Sequence, residues 1–169
     1  MIQRSLPVLF LLCLLNGLVL YAPCAQEAKP LGLVINEDNS HFFGTRTAED
    51  MTLDGLNRFV DQYAGTSVSH LFFNPNAMRA SFKSTTRDSI WDLGNQTMPT
   101  GGGKVWMDNA RILDERGLDP YAIWIARCRE KGISPWLSMR MNDVHEVSDP
   151  TNFMHSTFWV SHPEYWRVP

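Results

Sequence analysis

The stretch that decides the fold runs Asp119-Pro-Tyr-Ala-Ile-Trp-Ile-Ala-Arg-Cys-Arg-Glu-Lys-Gly-Ile-Ser-Pro-Trp-Leu-Ser-Met-Arg-Met141. Asp119 followed by Pro120 is typical of a helix start, and Gly132 is placed to end that helix. From Ile133 the apolar residues alternate with other residues, which predicts a strand that continues to Met141. The helix is predicted to bury one apolar stripe, formed by Tyr121, Trp124, Ile125 and Cys128. The strand is predicted to pack one apolar face on helices, formed by Ile133, Leu137, Met139 and Met141.

Two further strand predictions lie upstream of this stretch. The apolar run Leu31–Ile35 predicts a buried strand that opens into a polar loop, and Ser67–Phe73 predicts a second strand. Between them, a capping-box pattern at Thr47–Asp50 precedes apolar residues at helical spacing up to Tyr63. Residues 77–107 are predicted to form a long loop with a short helix and a flexible Thr100–Gly103 turn, before a helix over 108–116.

This alternation of strands and helices predicts a parallel sheet, in either a doubly wound fold or a (β/α)₈ barrel. No glycine-rich phosphate fingerprint follows the first strand, and polar residues end all three strands, so the barrel is favoured. We therefore expect an α/β fold. The expected architecture, which the family resemblance given below also implies, is a partial (β/α)₈ TIM barrel of the first three or so strand–helix units, with a long loop after the third strand.

The first 24 residues have the pattern of a secretory signal peptide. Arg4 precedes an apolar run, and Ala22 and Cys24 are small residues at the positions that a signal peptidase requires. Cleavage after Cys24 leaves 25–169 as an exported barrel-domain segment, periplasmic or extracellular, without a stable membrane span. A membrane anchor and a lipoprotein with lipidated Cys24 are the alternatives. Pro23 makes a poor lipobox, so lipidation is the less favoured of these interpretations.

The charge balance argues against nucleic acid as a partner. The 169 residues carry 15 Lys and Arg against 18 Asp and Glu, for a formal net charge of −3, and no basic patch is evident. No cofactor is predicted. The spacing of the histidines and carboxylates matches no metal-ligand pattern, so no metal site is predicted either.

Candidate substrate-binding residues cluster where the predicted strands end, because barrel active sites lie at the carboxyl ends of strands. Arg140 is expected to contact a carboxylate, since burying it unpaired is costly. Several simpler roles stay open: Glu37 and Asp38 as turn caps, His70 as a core histidine, Arg140 in a structural ion pair, and the C-terminal aromatics as packing groups. The candidates are Glu37, Asp38, His70, Asn74, Arg140, Asn142, Asp143, His145 and Trp159. Polar groups beside aromatic rings suit a carbohydrate cleft.

A family resemblance rests on three segments. Arg140–His145, followed by Phe158-Trp159 and His162-Pro-Glu-Tyr-Trp166, resembles bacterial secreted proteins of the glycoside-hydrolase-like TIM-barrel type. In those barrels a strand ends in a polar cluster and a segment F-W-x-x-H-P-E-W follows in the loop; here Tyr165 is inserted before Trp166. Ile35–His41 is similar to the end of their first strand. The resemblance covers residues 31–166.

The resemblance implies a fold of eight strands and about 250 residues, of which three strands are found here. In retaining members of that broad clan, the acid/base and nucleophile follow the fourth and seventh strands, which would lie beyond Pro169. The catalytic residues of this chain are therefore unknown. The resemblance implies the N-terminal portion of an exported carbohydrate-active protein, through truncation, a frameshift or a split gene. Its open sheet edges would favour aggregation or a complementing chain. A non-catalytic exported glycan- or protein-binding module and an inactive gene remnant are the alternatives.

Overall fold

The computed structural model describes residues 32–141 and 143–166. The predicted signal peptide and Asn142 lie outside these ranges. Three parallel strands form one sheet in the order β1 (Leu33–Glu37), β2 (Val68–Phe73) and β3 (Ser134–Leu137). The prediction of an α/β fold with a parallel sheet is confirmed at this level. Among the helices in the described ranges, none is long and apolar enough to cross a membrane.

The helices follow the strands in an alternating order. Their bounds are α1 (Asn39–Thr45), α2 (Leu53–Asp61), α3 (Gly101–Glu115), α4 (Pro120–Glu130) and α5 (Thr157–Ser161), with 3₁₀ turns at Ala48–Asp50 and Pro163–Tyr165. The predicted start of α4 is confirmed, because the Asp119 carboxylate accepts from the backbone N–H groups of Tyr121 and Ala122 at 2.9 and 3.1 Å. Gly132 follows this helix with φ +72°, a conformation that glycine adopts without strain.

Two helices differ from the prediction. The polar segment after β1 was expected to be a loop, but it forms α1, which buries Phe42 and Phe43. The predicted flexible turn at Thr100–Gly103 is instead the start of α3. Tertiary contacts outweigh the poor helix propensity of glycine there, because the Trp106 indole N–H donates to Ser81 Oγ at 2.8 Å.

The core is built around Trp124 of α4, which is 2% exposed. Its ring stacks on Phe73 of β2 at a centroid distance of 5.2 Å, and it meets Phe42 of α1 edge-on at 5.3 Å. Phe59 of α2 and Tyr121 complete the cluster at 5.2 and 5.3 Å. These aromatic pairs join β2 to three helices, so the position of the sheet edge is fixed by a rigid core.

One face of the sheet packs on helices and the other is open. Leu71 and Phe73 are buried on the helix side. On the opposite side Val34 is 59% and Trp136 52% exposed, and the Phe72 and Trp136 rings stack on each other at 5.8 Å. Within the ranges described, β1 and β3 each pair along one side only.

The prediction for the apolar face of the third strand is wrong beyond Ile133. Ile133 is buried, whereas Leu137 and Met139 are each 51% exposed and Met141 87% exposed. The strand ends at Leu137 rather than Met141, so the alternation that the prediction used does not continue. Since β3 lies at the edge of the sheet, its later residues have no helix to pack against in the described part of the chain.

Candidate functional site

Four polar side chains meet at the carboxyl edge of the sheet, and we call them the edge cluster: Asp38, Arg140, Asp143 and His145. Arg140 is central, with Nη2 2.8 Å from Asp38 Oδ2 and Nη1 3.3 Å from Asp143 Oδ2. His145 Nε2 lies 2.9 Å from Asp143 Oδ1. The sequence predicted that Arg140 contacts a carboxylate, and the structure shows two. Asp143 is almost buried, whereas the Asp38 and His145 side chains are about half exposed.

The side chain of Asn76, which follows β2, holds the backbone of Arg140 in place. The Asn76 side chain, which is 1% exposed, donates to the Arg140 carbonyl at 3.0 Å and accepts from its N–H at 3.3 Å. Asp38 lies at the N-cap position of α1, but its carboxylate makes no capping bond and pairs with Arg140 instead. The sequence analysis missed Asn76, although its place two residues after Asn74 at a strand end was a usable signal.

The charge of Arg140 is compensated on both sides. Partial burial alone lowers the pKa of Arg140, but attraction to Asp38 and the hydrogen bonds to Asp143 and Asp38 outweigh it, so the pKa is raised. A guanidinium has five N–H donors, and these two bonds use one on each terminal nitrogen. With its side chain 30% exposed, Arg140 retains donors that a ligand oxygen can reach.

Glu37 occupies a different position from the one expected of a direct ligand. Its side chain is 7% exposed and faces the helices, where Oε1 accepts from the Tyr63 hydroxyl and Oε2 contacts His41 Nδ1. Burial, the bond to Glu37 and the charge of Glu37 together raise the pKa of Tyr63, so the phenol remains a neutral donor. Glu37 therefore positions His41, a role that sequence spacing did not indicate.

Asn74 and His70 are also not part of the edge cluster. Asn74 is 4% exposed and donates to Asn36 Oδ1 at 3.2 Å and to the Glu37 carbonyl at 3.1 Å, which ties the ends of β1 and β2 together. His70 lies four residues before Asn74, about 13 Å down the strand at ~3.3 Å per residue. Its Nδ1 is 2.8 Å from Ser69 Oγ. The structure does not bring His70 to the site.

Trp159 has both faces of its ring covered. His155 stacks on it at 3.8 Å and 9°, and Trp166 at 4.1 Å and 12°. Two parallel rings cannot both lie about 4 Å from the same face, so they occupy opposite faces. Trp159 is thus the centre of a packed stack. Phe158 and Tyr165, which are 61% and 71% exposed, are the rings open to a ligand.

Two clefts meet at Arg140. The aromatic cleft, of about 500 Å³, lies between the edge cluster and the C-terminal rings: Met141, Asp143, Phe158, Trp159, Tyr165 and Trp166. The histidine cleft, of about 510 Å³, is lined by Asp38, His41, Gly102, Trp106 and His145. Arg140 and Ala77 line both. Each volume falls within the range of about 300–1,000 Å³ that is usual for small-molecule sites.

Arg79 fixes the loop that supports the aromatic cleft, and no sequence pattern indicated this role. The side chain is 0% exposed, and Nε donates to the His155 carbonyl at 2.8 Å. Its terminal nitrogens donate to the Ser89 and Asp92 carbonyls and to Gln96 Oε1. Burial lowers the pKa of Arg79, opposed by the charges of nearby aspartates. This network joins residues 89–96 to the segment that carries Trp159.

Among the described residues, the one cysteine is buried and no cluster of metal ligands is present. Cys128 is fully buried, and burial raises the pKa of its thiol to about 11, which suits a packing role on α4. Over residues 32–141 and 143–166, no three His, Cys, Asp or Glu side chains are grouped to hold a metal ion.

Comparison with known proteins does not assign this chain. No protein-family model matches the sequence, and a search of curated proteins found no matching relative.

Proposed function

We propose that this chain is the N-terminal portion of an exported carbohydrate-active protein of the glycoside-hydrolase-like barrel type, and that it contributes part of a sugar-binding cleft. The observation that carries the proposal is the edge cluster, which lies between two clefts at the carboxyl ends of parallel strands. Parallel α/β sheets bind ligands at this edge. The apolar leader of residues 1–24 supports export.

Sugar is the ligand class that fits the walls of the clefts best. A sugar has hydroxyl groups at its rim and apolar C–H faces, so it needs planar polar groups beside exposed aromatic rings. Arg140 and Asp38 supply the polar groups, and Tyr165 and Phe158 supply rings in the same cleft as Arg140. Trp159 is packed between His155 and Trp166, so it is assigned no contact with the sugar.

The partial-barrel assignment is supported by the uncovered side of the sheet. Val34, Phe72 and Trp136 form an apolar surface on the face away from the helices, where a closed barrel packs its interior side chains. Further strands on the free sides of β1 and β3 would cover this surface and the edges. In this arrangement the edge cluster lies at the mouth of the barrel, with the catalytic carboxylates on later strands.

The proposal predicts sugar binding without hydrolysis by the 169-residue chain. A glycan array followed by calorimetry on the full chain tests it. Arg140→Met removes the donors while keeping most of the side-chain length. It should weaken binding about tenfold, because hydrogen bonds to a charged group contribute about 1.5–3 kcal/mol.

The matched control is Arg111→Met, since Arg111 lies exposed on α3, forms ion pairs only within that helix and lines neither cleft. It should bind sugar as the unchanged chain does. Absence of binding to every glycan by a folded chain would refute the proposal, as would equal binding by the two variants. Hydrolysis of a bound glycan by this chain would show that its catalytic residues lie within it.

A further inference from the structure

We infer that the ligand is a neutral oligosaccharide that crosses Arg140 from one cleft to the other, and that His41 and His145 accept hydroxyl hydrogen bonds from it in the histidine cleft. This inference rests on the proposed function, and it adds the substrate class and two binding residues. His41 was not among the candidate binding residues predicted from the sequence, and His145 was a candidate to which no particular hydrogen bond was assigned.

Buried neighbours fix the orientation of His41. Its Nδ1 contacts Glu37 Oε2, and the other oxygen of Glu37 is occupied by the Tyr63 hydroxyl. A carboxylate oxygen accepts from Nδ1–H, and in the neutral imidazole with that tautomer Nε2 has a free lone pair. The ring also meets Phe59 edge-on at 5.7 Å. Since the side chain is 42% exposed and lines the cleft, the Nε2 side is the part that reaches a ligand.

His145 repeats the same arrangement with its nitrogens exchanged. Its Nε2 lies 2.9 Å from Asp143 Oδ1, and the Asp143 side chain is 6% exposed. In a neutral His145 whose Nε2 proton faces Asp143, Nδ1 is the acceptor, on a side chain that is 52% exposed. Pairing of a histidine with a carboxylate is a common way to fix the tautomer and direction of the other ring nitrogen.

The charges of the histidine cleft disfavour an acidic sugar unit in that cleft; the aromatic cleft differs, because Arg87 as well as Arg140 lines it. Arg140 is the one Lys or Arg side chain among the residues described as lining it, and Asp38 and Asp143 already compensate that charge. An added carboxylate would meet Asp38, whose side chain is 54% exposed, without a free cation to balance it. Two neutral acceptors, one carboxylate and the remaining guanidinium donors instead match the hydroxyl groups of an uncharged sugar.

The two clefts together indicate a ligand of more than one unit. They share Arg140 and Ala77, so they are adjacent rather than on separate faces. The histidine cleft supplies His41, His145 and Asp38 as hydrogen-bonding groups, while the aromatic cleft supplies exposed rings, so the two clefts offer different contacts to a ligand. A chain of linked sugars can use both at once, and a single ring can use only one.

The test is a calorimetric titration of the full chain with neutral glucan, mannan, galactan and xylan fragments of one to four units, and with galacturonic acid fragments of the same lengths. We expect affinity to rise from one unit to two or more, and neutral fragments to bind more tightly than acidic ones. His41→Asn keeps an amide near Nδ1 for Glu37 but removes Nε2. His145→Gln likewise keeps an amide near Nε2 for Asp143. Each should weaken binding about fivefold, the effect of one hydrogen bond.

The control is His70→Asn, because His70 lies away from the edge cluster, with its Nδ1 2.8 Å from Ser69 Oγ, and lines neither cleft. No binding by any fragment refutes the proposed function and this inference with it. Binding that does not depend on length, or that favours the acidic fragments, refutes the inference alone. The inference alone is also refuted if the His41→Asn and His145→Gln chains are both folded and both bind as tightly as His70→Asn.

Discussion

Replacing Arg79 with methionine should unfold or loosen the loop that supports the aromatic cleft. The change fills similar space but removes donors to the Ser89, Asp92 and His155 carbonyls and to Gln96 Oε1. Leaving an acceptor unsatisfied costs about 1–3 kcal/mol. Four acceptors at the low end give about 4 kcal/mol, which is a large fraction of the ~5–15 kcal/mol that stabilises a typical domain.

The assay is urea denaturation followed by tryptophan fluorescence, since the Trp159 stack lies in the segment that Arg79 holds. The control is Arg87→Met in the same loop, where the side chain is exposed. We expect the control to change the free energy of unfolding by less than about 0.5 kcal/mol, as for most surface substitutions. If Arg79→Met loses less than about 1 kcal/mol, the network around it does not hold the loop, and the reasoning is refuted.

Two further predictions concern the Asp61–Arg127 ion pair between α2 and α4 and the open face of the sheet. The Arg127 hydrogen bonds lower the pKa of Asp61, so the pair stabilises the fold above the ordinary aspartate pKa and is lost as pH falls through the lowered value. In urea denaturation, Asp61→Asn should therefore have a lower free energy of unfolding than the unchanged chain at pH 7, and the difference should shrink by pH 3. A difference that does not change with pH would contradict this. Trp136→Glu should reduce self-association in sedimentation velocity more than Leu53→Glu on α2 does, because the Trp136 face is the one left uncovered. Equal effects would count against an incomplete barrel.

The sequence predicted the elements whose local signals agree with their packing. Asp119, Pro120 and Gly132 bound α4 as expected, and the apolar run before Asn74 forms β2. Local signals misled at Gly101, where three glycines predict a flexible turn. There Trp106 and Asn109 anchor the helix to other elements, since the Asn109 side chain donates to the Phe43 and Arg46 carbonyls at 2.8 and 2.9 Å.

Part of the candidate site was also predictable. The rule that sites lie at strand ends identified Asp38, Arg140, Asp143 and His145, and the cost of an unpaired buried cation predicted a carboxylate next to Arg140. Spacing could not show which way Glu37 faces. The alternation of residues in β1 allows the Glu37 side chain to lie on either side of the sheet. The hydrogen bond from Tyr63, which is distant in the sequence, is formed on the helix side.

The roles of the aromatic residues depended on geometry that no pattern contains. Composition indicated rings available for a sugar near the C-terminus, but not that His155 and Trp166 cover both sides of Trp159. Arg79 had no signal at all, because its partners are backbone carbonyls brought together by the folded loop. Such contacts arise only after the chain has folded.

The central claim is that the edge cluster binds a neutral sugar between the two clefts. The most direct measurement is a titration of the isotope-labelled chain with a neutral oligosaccharide, followed through its backbone amide signals by nuclear magnetic resonance. The largest shifts should fall on Asp38, Ala77, Arg140 and their sequence neighbours. Shifts confined to the outer surfaces of α2 and α4, or no shifts with any oligosaccharide, would contradict it.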